Sequence, residues 1–147
     1  MNYINNLENN IREVCSDCGH KGTEKCNYRM CNIGFAKYVI ENIKDKATNY
    51  IEDGENLIPK NDLKYYDEKI IAKGIASICK LCKECSDSHS ENCAIALIRR
   101  SLEYTQLKDK TAYPGNVLMH LMNISKERPE FAELIKQEYM SMERQLR

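Results

Sequence analysis

The chain has 147 residues, 42% of them hydrophobic, with 22 Lys and Arg balanced by 22 Asp and Glu. That is enough apolar matter for a packed interior, which excludes a disordered chain, and enough length for one domain or two small halves sharing a core. Residues 1–74 carry 11 basic and 12 acidic groups and residues 75–147 carry 11 and 10, so no global field favours nucleic acid or an anionic membrane; a local patch around Arg99 and Arg100 stays open.

In chain order, the opening MNYINNLENNIREVC lacks the basic start and apolar run of a signal peptide, and residues 3–14 fit a short helix. Ile33, Ala36, Ile40, Ile43, Ala47 and Ile51 recur at spacings of three and four, which predicts an amphipathic helix over residues 32–51. Asp53-Gly54 reads as a turn, and residues 54–61 as a linker. Asp62 is the expected cap of a helix whose apolar positions Leu63, Tyr66, Ile70, Ile71, Ile75 and Ile78 lead to Cys79. A polar stretch over residues 83–92 precedes a helix over 94–107, built on Ile95, Leu97, Ile98 and Leu102. Tyr113-Pro114-Gly115-Asn116 forms a turn before a short helix carrying Val117, Leu118, Leu121, Met122 and Ile124. Arg128-Pro129 opens the last helix, which aligns Phe131, Leu134, Ile135, Tyr139 and Met142 along one side.

No segment alternates with period two between hairpin turns. The expected fold is all-α: five or six helices and two cysteine-rich loops in one domain over residues 1–147. Within it, residues 11–53 and 62–107 read as repeat halves, followed by C-terminal helices over 115–147. No stretch reaches the roughly 18 apolar residues of a membrane span, and the expected location is cytoplasmic.

The chemistry lies in eight cysteines. Cys15, Cys18, Cys26 and Cys31 form one cluster; Cys79, Cys82, Cys85 and Cys93 form another. A reducing compartment and a chain long enough to fold unaided argue against disulfides and for metal. Both clusters contain C-x2-C-x7-C, CSDCGHKGTEKC against CKECSDSHSENC, each ending in a hydroxyl residue, Glu, any residue and Cys. Thr23 and Ser90 are then candidate caps that place Cys26 and Cys93 at the third helical position, where the helix terminus favours a thiolate. Two such units imply an internal duplication about a pseudo-twofold. The remaining cysteines differ. On one continuous helix Cys26 and Cys31 would lie about 140° apart, so either the helix starts at Cys31 or Cys31 and Cys79 complete each other's sites.

Four thiolates per site suit structural zinc, and Cys15-Ser-Asp-Cys18-Gly19 looks like a zinc knuckle, so two zinc ions are the first expectation. The alternative is one or two [4Fe-4S] clusters, because Cys79-x2-Cys82-x2-Cys85 shares its spacing with bacterial ferredoxins, although the Pro after the last cysteine and the x3 interval are missing. His20 and His89 lie in the x7 loops and could replace a cysteine; solvent-exposed loop histidines are the simpler reading. His120 reads as a surface or packing residue and Gly74 as a packing glycine. The missing strands argue against a thioredoxin-like use of C-x-x-C, and no phosphate loop is present.

Zinc implies a protein-interaction module without catalysis, with a protein partner, a homodimer included, rather than nucleic acid. Iron–sulfur implies electron transfer, cluster delivery or redox sensing.

Overall fold

The computed structural model describes residues 3–16, 18, 23, 24, 26–46, 50–60, 62, 65–84, 93–108, 113, 114 and 116–145, with side chains except those of 3, 82–84 and 143–145. Among the described residues there are seven helices and no strand: α1 (Tyr3–Ser16), α2 (Asn32–Lys46), α3 (Gly54–Leu57), α4 (Glu68–Glu84), α5 (Ala94–Glu103), α6 (Val117–Glu127) and α7 (Pro129–Gln145). The all-α expectation holds. The additional element is α3, a single turn inside the expected linker, entered through Asp53 in the left-handed region at φ 57°.

The central helix is α4, buried along most of residues 71–80. It packs against α1, α5 and α7, while α2 packs on α5 and α6 on α7. Leu7 of α1 lies beside Gly74, and Glu13 and Val14 lie beside Asp67 and Ile70, so α1 runs antiparallel to α4. Ser101 of α5 reaches Asn32 at the start of α2, and Cys93 bridges Tyr50 beyond its end, so α2 and α5 are antiparallel as well. Gly74 is a packing glycine: a Cβ there would stand 3.1 Å from Leu102 Cδ1 and 3.4 Å from Leu7 Cδ1. Burial of side chains such as Leu7, Phe35, Ile75, Leu97 and Phe131 at this junction stabilises the fold by about 1.5–3 kcal/mol each.

The start of α4 differs from the sequence reading. The cap is Asp67, whose Oδ1 accepts the Lys69 and Ile70 N–H groups at 2.9 and 3.3 Å. Asp62 is engaged elsewhere, accepting the first N–H of α2 from Asn32 at 2.9 Å. The local basic patch left open at Arg99 and Arg100 is not on the surface. Both side chains are buried and face carboxylates, Arg99 with Glu103 and Arg100 with Glu55 at 2.8 Å. His120 is a packing residue, fully buried.

At the α6–α7 joint, Arg128 donates to Glu68 at 2.7 Å and to the Gln106 carbonyl at 3.2 Å, and Gln106 donates to the Tyr66 carbonyl at 3.2 Å. This chain of polar contacts ties the C-terminal helices to the end of α4 where the first cysteine cluster sits. Among the described residues, no helix is long and apolar enough to cross a membrane.

Candidate metal centre

The first cluster is assembled at the junction of α1 and α2. Cys15 lies in the last turn of α1, and the Cys18 N–H donates to the Cys15 carbonyl at 3.1 Å, so the C-x2-C segment turns as the helix ends. Cys26 is not helical. Its N–H donates to the Thr23 carbonyl at 3.0 Å in a turn, and residues 27–30 form a tight loop. In that loop Asn27 Oδ1 accepts the Arg29 and Met30 N–H groups, and its carbonyl accepts the Cys31 N–H at 2.9 Å. The helix starts after Cys31, whose carbonyl accepts the Phe35 N–H at 2.8 Å. Of the two arrangements open in the sequence, the loop before Cys31 is the one adopted, and Thr23 caps no helix.

Cys15, Cys18, Cys26 and Cys31 line a single cavity of about 330 Å³. Cys31 is buried, Cys15 and Cys18 are half-buried and Cys26 is exposed, so the cavity opens on the Cys26 side. Its walls include the stacked rings of Tyr28 and Tyr38, 4.4 Å apart, together with Ile33, Lys37 and Glu41. Gly34 forms part of the wall because the loop passes against it. A Cβ at this position would stand 2.9 Å from the Asn27 carbonyl oxygen and 3.0 Å from its carbon.

Behind Cys31, its Sγ lies 3.3 Å from Tyr66 Oη, and the Tyr66 hydroxyl donates to Asp62 Oδ2. Burial first, and then the hydrogen bonds to Asp62 and Cys31, push the Tyr66 phenol far above its ordinary range. Tyr66 therefore stays a phenol, a hydrogen-bonding group rather than an anionic ligand. Sequence reading missed Tyr66, Tyr28, Tyr38 and Lys37, and none of them carries a spacing signal. Gly34, three residues after Cys31 in a helical first turn, does carry one, since a glycine there marks a close backbone approach.

Of the second cluster, the described residues are Cys79 and Cys82, toward the other end of α4, and Cys93. Cys79 is fully buried in that helix, Cys82 follows one turn later, and Cys93 directly precedes α5 with its carbonyl accepting the Leu97 N–H at 2.9 Å. Cys93 is thus the residue before the helix, not its third position, and it corresponds in place to Cys31 rather than to Cys26. Cys85, Gly19, His20, His89, Ser90 and the Cys82 side chain lie outside the described residues.

Cys31 sits beside Tyr66, just ahead of α4, whereas Cys79 lies eleven residues, about 16 Å of helix, beyond Glu68 and does not line the cavity that Cys31 lines. Among the described residues, no three Cys, His, Asp or Glu side chains converge closely enough to grip one ion; the four cysteines of the first cluster line the same cavity instead. Cysteine sulfur is the donor type that both zinc and iron–sulfur clusters take. Compared with protein-family models, curated proteins and solved structures, the chain matches none of them.

Proposed function

We propose that this is a metal-binding protein with two cysteine-ligated centres at opposite ends of α4. The first is held by Cys15, Cys18, Cys26 and Cys31, and the second by Cys79, Cys82, Cys85 and Cys93. The observation that carries this reading is that all four cysteines of the first cluster line one cavity, drawn from a helix end, a loop and a helix start. With zinc in each centre, the metal fastens α1 to α2 and α4 to α5. The chain is then a non-catalytic cytoplasmic interaction module that binds a protein partner, a second copy included, rather than nucleic acid. Exposed Leu118, Met119 and Met122 on α6 and Met140 on α7 supply apolar surface for that contact.

The internal duplication belongs to the same proposal. In both halves a helix ends in C-x2-C and a cysteine directly precedes the next helix, and the corresponding helices pack antiparallel, α1 on α4 and α2 on α5.

Iron–sulfur is the second reading, carried by the ferredoxin-like spacing of Cys79, Cys82 and Cys85. Four cysteines lining one cavity suit a [4Fe-4S] cluster, in which each takes a different iron, as well as a lone zinc ion that draws all four to about 2.3 Å. Metal analysis and a visible spectrum of protein purified without oxygen test both readings. Two zinc ions per chain and no colour support the first; iron, acid-labile sulfide and brown absorption support the second. A reduced, folded chain that takes up neither metal overturns both.

A further inference from the structure

Cys31, in the first cluster, is held at three points. Its N–H is bound by Asn27, its carbonyl caps the first turn of α2, and its sulfur meets a hydroxyl at 3.3 Å. That hydroxyl belongs to Tyr66, a buried residue whose own carbonyl is fixed by Gln106. Asp62 closes the arrangement, because one carboxylate oxygen accepts both the Tyr66 hydroxyl and the Asn32 N–H, the peptide directly after Cys31. Sulfur and following peptide are therefore referred to the same two side chains.

The donors and acceptors can be counted. A cysteine thiol has one hydrogen and can donate to Tyr66 Oη while Tyr66 donates to Asp62. A thiolate bound to metal has no hydrogen and only accepts. The single phenolic proton then lies between two acceptors, Asp62 Oδ2 and Cys31 Sγ, and Asp62 keeps the Asn32 N–H as a donor when the hydroxyl turns to sulfur.

We infer that Tyr66 is the positioning residue of the first centre: its hydroxyl donates to the Cys31 thiolate, orients that sulfur toward the cavity and sets how strongly it donates electrons to the metal, with Asp62 governing how much of the hydroxyl's hydrogen bond the sulfur receives. This rests on the metal reading above. It gives the first centre a partner outside the ligand set, the kind of contact whose loss lowers metal affinity about 10–100-fold.

Cobalt(II), a coloured probe of thiolate sites, tests it. It is titrated into the reduced, metal-free full chain and into Tyr66→Phe and Asp62→Asn, with helicity checked by circular dichroism. The thiolate-to-cobalt band reports sulfur donation, and a chelator competition reports affinity. Tyr66→Phe removes the hydrogen bond, so the band moves to lower energy and affinity for one of the bound cobalt ions falls about 10–100-fold. Asp62→Asn weakens the competing acceptor, so the band moves to higher energy. A merely structural role would not shift the band in opposite directions. Bands that superimpose on the unsubstituted protein's in both variants overturn the inference and leave the metal reading standing. If Tyr66→Phe does not fold, the direction of the Asp62→Asn shift decides alone. A folded, unsubstituted protein with no cobalt–thiolate band overturns the metal reading, and the inference with it.

Discussion

Glu103 on α5 and His120 on α6 stand 2.6 Å apart, Oε2 to Nε2, in an interior where the imidazole is fully buried. Arg99 approaches the same carboxylate oxygen, Nε to Oε2 3.4 Å, and the Tyr113 ring lies over the guanidinium at 4.8 Å. One carboxylate thus serves a buried cation and an imidazole. Among the described residues, Arg99 Nε and Nη2 and His120 Nδ1 are buried without a hydrogen-bond partner, so the charge compensation seen there comes from Glu103.

The first prediction follows from that dependence. Glu103→Gln keeps the shape and removes the charge, leaving Arg99 buried and uncompensated, and should destabilise the fold by about 3–5 kcal/mol in urea denaturation. Replacing both residues, Arg99→Met with Glu103→Leu, should recover most of that loss, since a well-packed apolar pair can match a buried ion pair. Equal losses in single and double variants would show that charge compensation is not what Glu103 supplies.

What the sequence made legible follows from the range of each signal. Helix periodicity is local, and it located the start of α2 at Asn32 and the α6–α7 pair, but α2 ends at Lys46 and α5 at Glu103, short of the expected 51 and 107. The start of α4 was not legible, because Asp62 and Asp67 both precede apolar positions. The choice between them is made by the Asn32 N–H, a partner 30 residues away. The placement of Arg100 depends in the same way on Glu55, 45 residues away, whereas Arg99 meets Glu103 one turn along its own helix. At the cysteines, the shared string C-x2-C-x7-C aligned Cys26 with Cys93, whereas the helix starts align Cys31 with Cys93. Helix ends depend on caps and tertiary contacts that a short string match does not encode. Tyr66 was invisible as a neighbour of the centre because it meets Cys31 across 35 residues.

A second prediction separates two glycines. At Gly34 an added methyl meets the Asn27 carbonyl group, backbone that cannot rotate aside. Gly34→Ala should displace the loop carrying Cys26 and cost about 1–3 kcal/mol, with weaker metal uptake at the first centre. At Gly74 the nearest atoms are the ends of Leu102 and Leu7, and alanine gains about 1 kcal/mol of helix propensity. Gly74→Ala should therefore be close to neutral in melting temperature. Comparable losses in both variants would defeat the distinction between backbone and side-chain neighbours.

Tyr66 also sets a pH dependence. Its phenol is raised in the folded state, chiefly by burial, whereas in the unfolded chain it titrates near 10. Below about pH 10 both states hold the proton and the contribution to stability is complete. Above that, the unfolded chain releases the proton while the folded protein retains it, so stability is lost as pH rises. The metal-free protein should lose up to about 1.4 kcal/mol more per pH unit than Tyr66→Phe as pH climbs past 10. Urea midpoints of the two proteins at pH 8, 9, 10 and 11 measure this difference (parallel slopes would show that the buried phenol is not coupled to folding).

The last prediction concerns how far metal and fold are joined. If the first centre fastens α1 to α2, then Cys18→Ser should remove one metal equivalent and lower the melting temperature, because a ligated loop binds its ion only when folded. The loss should be concentrated at the end where Cys31, Tyr66 and Asp62 meet, so hydrogen exchange should quicken in the first turn of α2 before it does in α5. Cys85→Ser should remove the other equivalent and reverse that order, because Cys93 precedes α5 at the opposite end of α4. The two variants are therefore distinguished by where exchange accelerates, even if their melting temperatures agree. Exchange that quickens uniformly in both would make the helices one cooperative unit with metal acting on all of it. Variants that keep full metal and an unchanged melting temperature would remove Cys18 and Cys85 from the ligand sets.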